Sequence, residues 1–139
     1  LYKGRLSVVA ETDLGVLLKN LNPVASSEDY VFTNLPADSL TSTLISVAKG
    51  MFQEREGTTL ILPVVAAEKA NLPFEGYYCC ITCEVHSSLE AVGMTAAMST
   101  ALGKAGISAN VVAAYYHDHI FVPAEKADLA IDVLTSLSN

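Results

Sequence analysis

The sequence has 139 residues, of which 51% are hydrophobic and 17% charged, so it can bury a core and is too apolar for intrinsic disorder. Its net charge of −7 disfavours nucleic acid as a partner, because the phosphates would be repelled. It contains no apolar run near the ~20 residues that span a bilayer, and no basic segment followed by an apolar run opens it. We therefore expect a globular protein that neither crosses a membrane nor carries a secretory signal in this sequence.

The three cysteines lie close together in one strand-like segment, Tyr77–His86. An odd and clustered set is a poor disulfide framework and favours a reducing, cytoplasmic location. Cys80 and Cys83 form a C-x-x-C pair, but residues three apart on a strand point to opposite faces, which argues against a shared metal ion or disulfide. We expect Cys79 and Cys83 to lie on an apolar face instead.

The first half of the chain begins with a clear helical pattern. Leucines at positions 14, 17, 18 and 21 have the spacing of one helix face, with Thr12 or Asp13 as cap and Asn22-Pro23 as stop. A turn at Glu56-Gly57 joins the segment at 44–52, whose ambiguous pattern favours a strand, to the β-branched apolar run at 58–62. The elements predicted for this half are a short strand at 6–10, a helix at 13–21, strands at 30–33, 44–52 and 58–62, and a helix at 63–70.

The second half has a β-α-β-β-α order, with strands at 77–86, 107–115 and 118–122 and helices at 89–105 and from Pro123. Ser87 and Ser88 have N-cap chemistry for the first helix, and Gly106 suits its end. This order is typical of a ferredoxin-like α+β fold, in which helices cover one face of an antiparallel sheet.

A short internal repeat suggests that the first half has the same plan. The sequence AEKANL at 67–72 returns as AEKADL at 124–129, and each copy follows a hydrophobic strand that ends in proline, Pro63 or Pro123. We therefore predict two related modules. The loop before Gly76 gives the boundary, with an N-terminal module at 1–73 and a C-terminal module at 74–139.

Longer motifs resemble a known family. Residues 54–62 (EREGTTLIL), 85–94 (VHSSLEAVGM) and 106–123 (GISANVVAAYYHDHIFVP) are similar to those of a family of small, mostly uncharacterised ACT-domain proteins. The resemblance covers most of the chain. It implies two tandem ferredoxin-like ACT modules and no established catalytic activity.

The stretch from Ser88 to Val122 also resembles the last ACT module of the animal cytosolic arginine sensor. In that sensor, a loop that opens a helix and an Asp at the start of the last strand hold a free amino acid between two modules. The sensor has a second acid where this chain has Ala91, which gives a cationic ligand side chain less support. The resemblance implies a carboxylate role for Asp118, loop positions for Ser88 and Gly93, and strand-end positions for Ala114 and Tyr115.

The charges of a free amino acid favour the same region as a binding site, independently of the resemblance. The ammonium of a free amino acid requires a carboxylate acceptor, which Asp118 could supply. The carboxylate of the amino acid suits the unpaired amides of a helix start, predicted here at Ser87 and Ser88. The alternative is that the serines only cap the helix and that Asp118 only shapes the hairpin turn. The candidate ligand-binding residues are Ser87, Ser88, Gly93, Ala114, Tyr115 and Asp118.

Other chemistries receive less support from the residues. His117 and His119 share a strand face and His86 could be a third ligand, but no fourth metal ligand is evident, so we predict no metal site or cofactor. Adjacent His86 and Ser87 would point apart on a strand end, which spoils a hydrolase geometry. We expect a non-catalytic protein that senses an amino acid or a similar metabolite. The alternative is a ligand-free homodimerising module whose edge strands pair across a twofold axis.

Overall fold

A computed structural model describes residues 13–85 and 92–139. Its six strands form one sheet in the order β2-β3-β1-β4-β6-β5. Short 3-10 turns at Ala37–Ser39, Ala124–Lys126 and Ser136–Ser138 connect or end the elements. In chain order, the elements are α1 (Leu14–Lys19), β1 (Pro23–Leu35), α2 (Ser42–Val47), β2 (Gly50–Glu54), β3 (Gly57–Pro63), α3 (Val64–Lys69), β4 (Tyr78–Cys83), α4 (Met94–Lys104), β5 (Asn110–Ala113), β6 (Asp118–Pro123) and α5 (Ala127–Thr135).

The described residues divide into two compact units. The inner unit is the continuous segment Ser26–Cys80, and the outer unit comprises residues 13–25, 81–85 and 92–139. β1 and β4 contribute residues to both units, because each division falls within one of these strands. The sequence-based boundary between positions 73 and 74 stays a prediction.

The inner unit is a complete β-α-β-β-α-β fold in which β1, α2, β2, β3, α3 and β4 follow one another. Its strand order β2-β3-β1-β4 is that of a ferredoxin-like sheet. β3 pairs antiparallel with both β1 and β2, and Val31 lies opposite Leu62. Alternate residues of β1 and β3 therefore turn toward α2 and α3 and form a core with Leu44 and Ala67.

The outer unit contains β4, α4, β5, β6 and α5 in that order, with the first residues of β1 beside β4. β5 and β6 form an antiparallel hairpin in which Val112 lies opposite His119. α4 packs against α5, and α1 packs against α4 and the C-terminal turn. The predicted second-half order and the α+β class are confirmed.

The internal repeat is visible in the backbone. Pro63 and Pro123 each end a strand and precede a helical turn, with backbone angles of −55°, 142° and −52°, 135°. The proline ring fixes φ near the value that a helix start needs and removes an N–H that a strand end does not use. The predicted strand-proline-helix unit is therefore present in both halves.

Two predicted elements were wrong. Residues Leu44–Val47, predicted as part of a strand, belong to α2, because the Thr41 hydroxyl accepts the Leu44 N–H at 3.1 Å and so caps a helix. The ambiguous pattern of this segment favoured a strand, but the backbone bonds to β3 begin only at Lys49, whose N–H donates to the Ile61 carbonyl at 2.7 Å. The other wrong element is the start of α4, which is described with the site.

Candidate functional site

Three of the predicted site residues lie together at the turn between β5 and β6. Ala113 lies opposite Asp118 in the hairpin, and the Ala114 N–H donates to the His117 carbonyl at 3.0 Å. Ala114 is half-buried, and Tyr115, the next residue in the turn, is exposed. The turn therefore fixes the position of Asp118 at the first residue of β6.

Asp118 is buried although it is acidic. Its side chain is 7% exposed, and it shares a sheet face with the fully buried Ile120 and Val122. Burial raises the pKa of this carboxyl, and the nearby His117 opposes part of that increase. Over residues 13–85 and 92–139, no donor makes a hydrogen bond to the Asp118 carboxylate.

Two histidine contacts place the start of β6 beside the end of β4. His119 Nδ1 and Thr82 Oγ1 are 2.9 Å apart, and His117 Nδ1 lies 3.3 Å from the Val85 carbonyl oxygen. Thr82 contacts the later of the two histidines, His119, and Val85 contacts the earlier one, His117. The two strands are therefore antiparallel. The end of β4 thus lies beside the start of β6, where Asp118 is located.

These contacts also bear on the metal alternative. His119 forms a hydrogen bond across the sheet with Thr82. Within the described part of the chain, no three His, Cys, Asp or Glu side chains form a group that could hold a metal ion. Sequence reasoning did not anticipate that His117 links the hairpin turn to Val85.

α4 begins later than predicted. Val92 and Gly93 are not helical, and Gly93 is the N-cap with a left-handed φ of 97°, so the prediction that the helix includes these two residues was wrong. Gly93 has no side chain that could cap this end, and the Ala97 N–H donates to the Gly93 carbonyl at 2.9 Å. Glycine is a common N-cap residue, so Gly93 was itself a candidate for the helix start that the choice of Ser87 and Ser88 overlooked.

Gly93 also packs closely. A Cβ at this position would lie 3.1 Å from a methyl carbon of Leu14 in α1. Gly93 is thus located at the α4 start facing α1, whereas Ala114, Tyr115 and Asp118 are located at the hairpin turn. Their convergence on one hollow stays a prediction. Ser87 and Ser88, as well as His86 in the hydrolase alternative, lie outside the described residues.

The cysteines have structural contacts. All three are buried and free of disulfides. Cys79 Sγ lies 3.7 Å from the Ser26 hydroxyl, the Cys80 N–H donates to that hydroxyl at 3.1 Å, and Cys83 Sγ lies 3.7 Å from Met98 Sδ. The expected burial of Cys79 and Cys83 is confirmed, and Cys80 is buried as well.

Comparison with known proteins defines the class of this fold. ACT domain families match residues 9–79 and residues 75–136. The chain belongs to the ACT domain family and contains two ACT domains in tandem, as the sequence motifs implied. No curated protein matches the chain.

Solved structures agree with this assignment. A Vibrio cholerae protein of unknown function, described as a possible transport protein, is 42% identical over 91% of this chain and 96% of its own, with a TM-score of 0.80. The ligand-free regulatory subunit of aspartate kinase from Thermus thermophilus is 9% identical over 85% of this chain and 97% of its own, with a TM-score of 0.62. A protein from Agrobacterium tumefaciens is 15% identical over 80% and 84%, with a TM-score of 0.63. At the two lower identities, the likeness shows the fold alone.

Within residues 13–85 and 92–139, every helix is too short or too polar to span a membrane.

Proposed function

We propose that this protein is a non-catalytic regulatory protein that binds a free amino acid, or a similar small metabolite, in its outer unit. The observation that carries the proposal is the buried Asp118 carboxylate, which has a raised pKa and receives no hydrogen bond from the residues described. Among the described residues, no fully buried side-chain oxygen lacks a hydrogen-bond partner, so the Asp118 carboxylate keeps a small opening to solvent through which a ligand could reach it. Partial desolvation of an ionised carboxylate without a counter-charge still costs free energy. The ammonium of an amino acid would supply both the charge and the hydrogen bonds that Asp118 lacks.

The start of α4 is the proposed partner for the carboxylate of the ligand. Gly93, the N-cap residue, has no side chain to cap the N–H groups of the first helical turn, and Thr95 and Ala96 are exposed. Unpaired amides at a helix start favour an anion. Cys83, at the end of β4, contacts Met98 of α4, which supports the proximity of this helix to the strand end beside Asp118. Ser87, Ser88, Gly93, Ala114 and Tyr115 would complete the site.

The wider context is consistent with this proposal. A regulatory subunit of aspartate kinase shares the fold, and the three cysteines are free thiols, which suits a cytoplasmic protein. The proposed chemistry is recognition without turnover and without a metal or an organic cofactor. We propose neither a nucleic acid nor a membrane as a partner.

A thermal-shift screen of the common amino acids at millimolar concentration tests this function. Any ligand that binds only the folded state raises the free energy of unfolding, by about 2.7 kcal/mol when its concentration is 100 times the Kd. We expect one amino acid, or one group of related side chains, to raise the Tm by several degrees. A flat response across the whole set would contradict amino-acid binding.

The second candidate is a ligand-free homodimerising module. β5 is an outer strand of the sheet, and its Val112 side chain is 40% exposed. An outer strand offers unpaired backbone groups to the same strand of a second copy, which would extend the sheet across a twofold axis.

Sedimentation velocity tests this second candidate with the variant Val112→Lys. A lysine on an edge strand hinders strand-to-strand pairing, so we expect a dimer of the unmodified protein to become a monomer. Val24→Lys, at an exposed position on the interior strand β1, is the matched control and should leave the dimer intact. A monomeric unmodified protein, or a Val112→Lys dimer of unchanged stability, would rule out pairing through β5.

A further inference from the structure

The inner unit has a groove that the proposed amino-acid site does not use. It lies between α2 and α3 and has a volume of about 650 Å³. Leu44 and Val47 line it from α2, and Val65 and Ala66 line it from α3. A predominantly apolar cleft of this volume lies within the range typical of small-molecule sites.

The groove exists because the two helices of the inner unit stand apart. α2 and α3 each pack on β3, and α2 has only 6 residues. The corresponding helices of the outer unit pack against each other, and α4 has 11 residues. The helix pair therefore leaves a groove in the inner unit, whereas α4 and α5 are in contact in the outer unit.

The open position leaves apolar side chains in solvent. Val47 is 42% exposed and Val65 is 64% exposed, and both line the groove. An apolar ligand body would remove this surface from water, at roughly 25 cal/mol per Å². Clustered exposed apolar side chains that line a cleft commonly mark a binding site.

The polar groups around the groove define the charge of its occupant. Among the described residues that line it, Lys69 is the single charged one, and the hydroxyl groups of Ser39, Thr41 and Thr43 are the other polar side chains. A cation and hydroxyl groups that line the same groove suit a carboxylate. None of these lining residues is acidic, so the ammonium of a free amino acid would find no carboxylate acceptor among them.

We propose that the groove between α2 and α3 binds a medium-chain carboxylate, with its hydrocarbon chain against Leu44, Val47 and Val65 and its carboxylate at Lys69. This site lies in the inner unit, whereas Asp118 lies in the outer unit. Its test is therefore independent of the amino-acid proposal.

Isothermal titration calorimetry with octanoate, below its micelle-forming concentration, tests the site. We expect saturable binding by the unmodified protein and roughly tenfold or greater weakening in Val65→Glu, which places a like charge in the groove. Lys69→Gln, which removes the charge and keeps a polar side chain, should weaken octanoate binding about threefold to tenfold. Octylammonium, with the same chain and the opposite charge, should bind less tightly than octanoate.

Two exposed residues outside the lining serve as controls. Ile45→Glu adds the same charge to α2 without entering the groove, and Lys104→Gln removes a lysine from the outer unit. Both should bind octanoate as the unmodified protein does. Absence of saturable binding, equal binding of octylammonium, or unchanged affinity in both Val65→Glu and Lys69→Gln would overturn the proposal. A change of sedimentation in Val65→Glu without any octanoate binding would identify a protein interface instead and also overturn it.

Discussion

Asp118→Asn is expected to abolish the amino-acid-dependent rise in Tm and, at the same time, to raise the Tm of the ligand-free protein at neutral pH. The first effect follows because an amide cannot pair with an ammonium as a carboxylate does. Loss of a buried charge-assisted contact typically costs about 2–5 kcal/mol of binding free energy. The second effect follows because burial raises the pKa of the Asp118 carboxyl, so its ionised form opposes folding.

The sign of the pH dependence is fixed by this pKa. A carboxyl with a raised folded pKa binds its proton more tightly in the folded state than in the unfolded state. Below the unfolded value of about 3.9, both states are protonated and Asp118 costs nothing. The stability falls as the pH rises from there through the folded pKa, and a tenfold difference in proton affinity between the two states corresponds to about 1.4 kcal/mol. The advantage of Asp118→Asn should therefore vanish in acid.

Chemical denaturation from acidic to neutral pH measures this difference, with Asp132→Asn as the control. Asp132 is exposed on α5, so removing its charge should alter stability by less than about 0.5 kcal/mol at any pH. The affinity for the amino acid should fall as the pH drops through the folded pKa of Asp118, since only the ionised carboxylate accepts the ammonium. Asp118→Asn with full ligand response would exclude Asp118 from the site.

Gly57→Ala is expected to cause a large loss of stability. Gly57 begins β3 with φ of +145°, a region that other residues rarely adopt. A Cβ there would lie 2.5 Å from Asn34 Oδ1 and 2.8 Å from the Leu35 backbone oxygen. Strain and overlap together should cost roughly 2–5 kcal/mol, and thermal unfolding should show a Tm lower by on the order of 10 °C.

Gly103→Ala is the matched control for this substitution. Gly103 lies within α4, and a Cβ there would have no heavy atom within 4 Å among its described surroundings. Alanine favours a helix over glycine by about 0.5–1 kcal/mol, so the Tm should rise slightly. A Gly57→Ala protein as stable as the unmodified one would contradict the strain at the start of β3.

Elements with a local signal were predicted well. Asp13 accepts the Val16 N–H at 3.0 Å and caps α1 as expected, and Gly106 follows α4 with φ of 75°, as its predicted role at the helix end requires. The two strand-proline-helix units were also predictable, because proline both ends strand pairing and suits a helix start. These features depend on side chains within a few residues of one another.

Elements that depend on distant residues were predicted less well. The segment at Leu44 has β-branched neighbours that favour a strand, yet Leu44 is buried in a helix against residues of β1 and β3. The Thr41 cap of this helix was a local signal that the sequence analysis overlooked. The start of α4 depends on the fit of Gly93 against Leu14, and these residues are far apart in sequence. Local propensity is a weak guide wherever tertiary packing supplies more free energy than it does.

The sequence by itself determined the α+β class and the repeated module and identified Asp118 as a candidate site residue, since periodicity, proline placement and family motifs are local properties of the chain. Only the tertiary structure decided that Asp118 is buried without a donor from the described residues and that a groove opens between α2 and α3. Burial and cavities arise from the packing of residues remote in sequence, so no local pattern encodes them.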